Sequence, residues 1–149
     1  MENSLIRKAT ELDLPIIEKL IAELIGHVDD RRGIDAGAAL ENCRSLLKDA
    51  NSCILLAEVD GVVVGLVNTT IRRTLTHGGS SGLIDELVVA RSHRDSGWGG
   101  QLMSAAIEHC RRMGCCEVEV STEFSNVEAR EFYRNCGFEE RGVILEMDL

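Results

Sequence analysis

The sequence predicts an α/β (α+β) domain, a mixed sheet with helices on both faces. Strand-like apolar runs and amphipathic helical stretches alternate along all 149 residues. Asp60-Gly61 joins two of those runs and is the strongest short-range signal for an antiparallel hairpin. Between Leu83 and Thr122 the chain reads strand, glycine turn, helix, strand, a crossover that makes part of the sheet parallel.

Taken in order, Leu5–Thr10 is a short first strand. Asp13-Leu14-Pro15 opens a helix, with Pro15 in the first turn, where a missing N–H is harmless. Leu20, Ile21, Leu24 and Ile25 recur at helical spacing, and Gly26 marks the end. Asp29–Gly33 is a charged connection. A second helix runs from about Asp35 to Lys48, with Ala39, Leu40, Cys43, Leu46 and Leu47 as its apolar stripe. Strands follow at Ser52–Val59 and Val62–Arg72, then a small polar loop at Thr74–Ser80. The next elements are a strand at Leu83–Ala90, a helix at Gly97–Met113 and a strand at Glu117–Thr122. A short helix at Val127–Asn135 is closed by Gly137. Two terminal strands, Phe138–Arg141 and Val143–Leu149, complete a single domain over residues 1–149.

Composition narrows the function. Hydrophobic residues make up 44% and charged residues 28%, as in a folded globular chain. The net charge of -9 argues against a nucleic-acid surface, although Arg91 and Arg94 form a local basic spot. Met1-Glu2-Asn3-Ser4 lacks a signal-peptide layout, and no apolar run approaches the ~20 residues that span a bilayer, so a cytoplasmic protein without membrane partners is expected. The cysteines at 43, 53, 110, 115, 116 and 136 form no CxxC and read as reduced thiols. His27, His77, His93 and His109 show no metal-ligand spacing, and no metal is expected.

The chemistry gathers at Val88–Leu102. A strand ends, and Gly97, Gly99 and Gly100 open a helix whose first N–H groups and dipole suit an anion, phosphate above all. The turn has no lysine for a nucleotide-triphosphate loop, and its glycine spacing fails the dinucleotide fingerprint. Trp98 is read as facing the core.

The pattern Arg94-x-x-Gly97-x-Gly99 after Leu87-Val88-Val89 resembles the acetyl-CoA-binding motif of the GCN5-related N-acetyltransferase (GNAT) superfamily. Asn126-x-x-Ala129-x-x-Phe132-Tyr133-x-x-x-Gly137-Phe138 resembles that family's C-terminal motif. The resemblance implies a mainly antiparallel sheet with a parallel central pair, acetyl-CoA as cosubstrate, and direct acetyl transfer to a primary amine. It implies that Arg94, Asp95, Ser96, Gly97, Trp98, Gly99, Gly100 and Gln101 cradle the pyrophosphate, chiefly through backbone amides. It assigns the pantetheine arm to backbone near Leu87, Val88 and Val89, a further cofactor contact to Asn126, and the general acid to Tyr133 beside the coenzyme sulfur. The family often reads Arg-Gly-Lys/Arg-Gly-Ile-Gly, so Asp95 and Ser96 depart from it.

Asp85 and Glu86 are the candidate bases. Strict alternation puts them on opposite faces, and Glu86 ranks first because Asp85 shares a face with Leu87 and Val89. The acidic balance favours a small cationic amine as acceptor. A protein N-terminus or lysine, or a non-catalytic acetyl-CoA sensor, are the competing readings. A homodimer is common among similar proteins.

Overall fold

The computed structural model describes residues 2–26 and 35–149. The predicted connection Asp29–Gly33, and His27, lie outside the described residues. Five strands, β1 (Ser4–Lys8), β2 (Ser52–Val59), β3 (Val62–Arg72), β4 (Ser80–Val89) and β5 (Cys115–Val120), form one sheet in the order β1-β2-β3-β4-β5. The first three pairings are antiparallel and β4–β5 is parallel. The helices are α1 (Leu14–Ile25), α2 (Ala36–Lys48), α3 (Trp98–Arg112) and α4 (Val127–Asn135).

The sheet separates two apolar clusters. Ile17 and Leu20 of α1 and Cys43 of α2 pack with Leu56, Leu66 and Val88 on one face. Trp98, Leu102, Met103 and Ala106 of α3 pack with Val64, Val67 and Ile84 on the other. Burying both faces accounts for the near-continuous apolar character of β2 and β3. The Asp60-Gly61 turn takes positive φ at both residues, 49° and 82°, as a two-residue hairpin of the tight mirror-image type requires.

Strand ends differ from the sequence reading, β1 stopping at Lys8 and β5 at Val120, and three further differences matter more. β4 starts at Ser80 and β5 at Cys115, because parallel pairing from Ser80↔Cys115 onward draws small residues into the sheet. They are small for a reason: a Cβ on Gly82 would overlap the Cys110 sulfur of α3. The third difference is larger. Residues 138–149 form no strand, so neither Phe138–Arg141 nor Val143–Leu149 pairs as expected. A strand exists only with a partner edge, and among the described residues this segment pairs with no strand. The parallel pair therefore closes the five-stranded sheet at one end.

One polar network fastens β1 to α1. Arg7 donates to both carboxylate oxygens of Asp13, at 2.9 and 2.8 Å, and its Nε donates to Glu58 at 2.7 Å. Asp13 also accepts the Thr10 backbone N–H at 2.8 Å. The Arg7 guanidinium holds the buried Asp13 carboxyl at about 2, against a burial cost acting the other way. A lowered carboxyl pKa stabilises the fold above the ordinary carboxylate range, and that contribution is lost as pH falls through about 2. Asp13→Asn should therefore cost on the order of 2 kcal/mol at neutral pH. Urea unfolding should show the gap between variant and parent closing as pH falls from about 4 toward 2.

Candidate functional site

The site begins with a register shift. Asn68 of β3 opposes Glu86, yet the next residue, Thr69, opposes Ile84, which leaves Asp85 as an extra residue in β4. Such a bulge reverses the facing of everything beyond it. Ile84 accordingly packs on the α3 side and Val88 on the α1–α2 side, despite their even separation. The bulge also ends the parallel ladder: β4 and β5 pair only as far as Ile84↔Val120. Among the described residues, the edge of β4 turned toward β5 carries no strand from Asp85 to Val89, although the other edge stays paired to β3.

The two carboxylates lie on the same face, a correction to strict alternation. Thr70 Oγ1 donates to Asp85 at 2.6 Å and Asn68 Nδ2 donates to Glu86 at 2.7 Å; two residues apart on β3, these partners share a side. Asp85 is exposed and Glu86 half-buried. Burial pushes the Glu86 carboxyl up from its usual range, with Asp85 adding to the effect and the Asn68 hydrogen bond opposing it. Asn68 is 5% exposed, and among the described residues its Oδ1 has no hydrogen-bond partner.

The glycine turn stands at the end of β4. A short helical turn at Arg91–His93 follows the strand, and Arg94 Nε donates back to the Val89 carbonyl at 3.2 Å. Asp95 and Gly97 both take positive φ, 60° and 85°. The family's usual glycine at the Asp95 position is thereby explained, and aspartate is among the few other residues that accept this conformation. Ser96 Oγ donates to the Arg94 carbonyl at 3.3 Å, bracing the turn. Gly97 caps α3 without any side-chain acceptor. The amides of Trp98, Gly99 and Gly100 occupy the first turn, whose N–H groups point out of the helix. The first ladder bond runs from Gln101 N–H to the Gly97 carbonyl, so the Gln101 amide is already used. The Trp98 indole is buried in the core, as read from the sequence.

The two motif segments meet here. A Cβ on Gly99 would stand 3.3 Å from the Phe132 ring of α4 and 3.9 Å from Val89. Gly99 thus serves the packing of α4 on α3, while the position of Gly100 is open. Asn126 caps α4, its Oδ1 accepting the Ala129 N–H at 3.1 Å, which gives that side chain a structural task. Tyr133 sits edge-on between Phe132, at 5.4 Å between centroids, and Phe138, at 6.0 Å. Burial, with a smaller contribution from Cys136, pushes the Tyr133 hydroxyl up from its ordinary range and keeps it protonated. A groove of about 580 Å³ lies alongside, lined in part by Gly97, Gly100, Gln101, Asn135 and Cys136.

Two features were not legible in the sequence. Asn68 and Thr70 reach the carboxylates only across a strand pairing. His77, Glu117 and Glu119, remote in sequence, converge with their ligand atoms within 4.8 Å of one another. His77 Nε2 contacts Glu117, and Thr74 Oγ1 contacts the other ring nitrogen. Arg72 pairs with Glu119 at 3.3 Å, so a protein cation already serves this cluster.

Comparison with known proteins places this geometry. The acetyltransferase (GNAT) family model matches residues 17–138. An aminoalkylphosphonate N-acetyltransferase of Salmonella typhimurium is 32% identical over 135 residues, covering 91% of this chain and 84% of that protein. An aminoglycoside N(6')-acetyltransferase type 1 of Stenotrophomonas maltophilia is 32% identical, over 77% of this chain and 79% of the other. Among solved structures, the aminoglycoside N-acetyltransferase AAC(6')-Iy in complex with CoA shares the fold, with a TM-score of 0.86 at 22% identity over 100% of this chain and 96% of that one. The free amides at the head of α3 and the unpaired edge of β4 fit a pyrophosphate and its pantetheine arm. With a shared sequence pattern, a shared fold and a cradle that suits the cosubstrate, the chain belongs to the acetyltransferase (GNAT) family of acetyl-CoA-dependent N-acetyltransferases.

Proposed function

We propose that the acceptor is a small cationic primary amine, received on the face of β4 that carries Asp85 and Glu86. The observation that carries this reading is the Asn68–Glu86 pair. It combines a buried carbonyl oxygen without a donor among the described residues and a carboxyl that burial pushes up from its usual range, at the point where β4 parts from β5. An ammonium group supplies donors to Asn68 Oδ1 and to both carboxylates, whereas a phosphorylated acceptor would face like charge there. The relatives named as acting on aminoglycosides, aminoalkylphosphonates and glucosamine 6-phosphate support a small acceptor. A cytoplasmic location belongs to the same proposal.

Acetyl-CoA supplies the acyl group as an activated thioester. The first-turn amides of α3 at Trp98, Gly99 and Gly100 hold its pyrophosphate, with Arg94 adding positive charge and Asp95 opposing it. Backbone groups of Leu87, Val88 and Val89 line up the pantetheine arm, and an N–H there polarises the thioester carbonyl. Glu86 takes the proton that the ammonium must lose before its nitrogen can attack, and Asp85 holds the cation. Tyr133 gives its hydroxyl proton to the departing thiolate.

Thiol release from acetyl-CoA across an amine panel tests the acceptor class. Polyamines and aminoglycosides should turn over faster than neutral or phosphorylated amines. Tight acetyl-CoA binding with no turnover on any amine would instead mark a sensor.

Tyr133→Phe should lower kcat at least tenfold while acetyl-CoA affinity, read by calorimetry, stays nearly constant. An unchanged rate would remove Tyr133 from the chemistry.

A base must be deprotonated to work, so kcat/KM should fall as pH drops through a value above the ordinary carboxylate range. Glu86→Gln should lose that acidic limb along with most of its neutral-pH rate. Asp85→Asn should keep the limb and mainly raise the amine KM. The opposite pattern would exchange the two roles.

A further inference from the structure

One cluster of ligating side chains lies outside the site that serves the acetyl transfer. Glu117 and Glu119 stand two residues apart on β5, so both carboxylates leave the same face of the strand. His77 reaches them from the loop between β3 and β4, and the three ligand atoms lie within 4.8 Å of one another. An imidazole and two carboxylates, converging from one strand and one loop, form a donor set for a divalent ion.

The surroundings hold these side chains in place. A Cβ on Gly79 would stand 2.8 Å from the Gly114 carbonyl, so the loop is pressed against the start of β5. Thr74 Oγ1 accepts the His77 backbone N–H at 3.2 Å and contacts the ring at Nδ1. That contact occupies one ring nitrogen and leaves the other, Nε2, turned to Glu117. A polar group behind the second nitrogen is how proteins orient a metal-bound imidazole.

Charge is unevenly matched here. Arg72 reaches the cluster through Glu119 at 3.3 Å, bringing one positive charge against two carboxylates. Glu117 and the His77 nitrogen face each other, and either a proton or a metal ion between them satisfies that contact. A proton serves those two groups; an ion serves all three. Oxygen ligands with one imidazole disfavour soft, thiolate-seeking ions and suit Mn²⁺, Fe²⁺ or Zn²⁺. Atoms bound to one such ion at ~2.1 Å stand about 3–4 Å apart, so side-chain rotation closes the present spread.

We propose that His77, Glu117 and Glu119 bind one divalent first-row transition-metal ion, a structural clip between the β3–β4 loop and β5. The clip sits where the two parallel strands are still paired, since Glu117 opposes Ser81 and Glu119 opposes Leu83. Pairing ends one step further on, at Ile84↔Val120, where β4 and β5 part. The ion therefore fixes the closed end of the slot and leaves its open end to the cosubstrate.

Mn²⁺ titrated into the chelator-treated full chain tests this, with the free-ion EPR signal and the thermal midpoint as readouts. Mn²⁺ is the probe because it competes poorly for the six thiols. The expected result is one ion per chain, saturating at micromolar concentration, with a midpoint that rises as the site fills. His77→Gln and Glu119→Gln should each weaken binding at least tenfold and abolish the rise. Thr74→Val should weaken it about tenfold through loss of the support behind the ring. Each variant should keep the parent's circular dichroism, which separates a lost site from a lost fold. Asp85→Asn should bind Mn²⁺ as the parent does. Uptake only at millimolar concentration, or uptake unchanged in His77→Gln, would overturn the site. Binding lost in Asp85→Asn and kept in Glu119→Gln would put the cation on the acceptor carboxylates and overturn it equally.

Discussion

One extra residue in β4 organises the rest of the molecule. Because Thr69 skips Asp85 to pair with Ile84, β4 changes face partway along its length. Before the skip its side chains follow one alternation, and after it they follow the other. The reversal sends Ile84 into the core under α3 and Val88 into the core under α1 and α2. It brings two carboxylates onto one side and splits β4 from β5. Bulges bend a strand and re-aim its side chains, and here a single one opens a slot and supplies the groups beside it.

The remaining elements serve that slot. α3 presents its N-terminus where β4 ends, and α4 packs on that end of α3 through Phe132. Both placements rest on short side chains or none. Gly82 allows α3 to lie close to the sheet, and Gly99 allows Phe132 to lie close to α3. The Arg7–Asp13–Glu58 network locks β1, β2 and the entry to α1 together, so α1 starts from a fixed point.

Much of this was legible in the residues. Asp60-Gly61 announced its hairpin, Pro15 and Gly97 marked helix starts, and the two glycine- and aromatic-bearing motifs identified the family. Trp98 was placed in the core by its helical position. What escaped notice depends on partners distant in sequence. No local pattern reveals a bulge, because its cause is the competition of two strands for register. Asp85 and Glu86 were therefore assigned to opposite faces, and Asn68 and Thr70 were not singled out. The pairing of β4 with β5 from Ser80 was hidden for the same reason, since a parallel neighbour can recruit small polar residues that read as loop. The terminal strands failed in the opposite sense: an apolar run such as Val143–Leu145 suits a strand, but a strand also needs a partner edge, and among the described residues none pairs with it.

The missing side chain at Gly99 has a thermodynamic consequence. Its position belongs to the first turn of α3, and it is also the floor on which Phe132 rests beside Tyr133. Occupancy of the helix terminus and the seating of the tyrosine helix thus bear on one contact, and linkage between them runs equally in both directions. A ligand that orders the turn would steady α4 and Tyr133, and an α4 held in place would steady the turn. If Tyr133 is the proton donor, as proposed, its readiness to protonate a leaving group would be tied in this way to whether the cosubstrate has arrived.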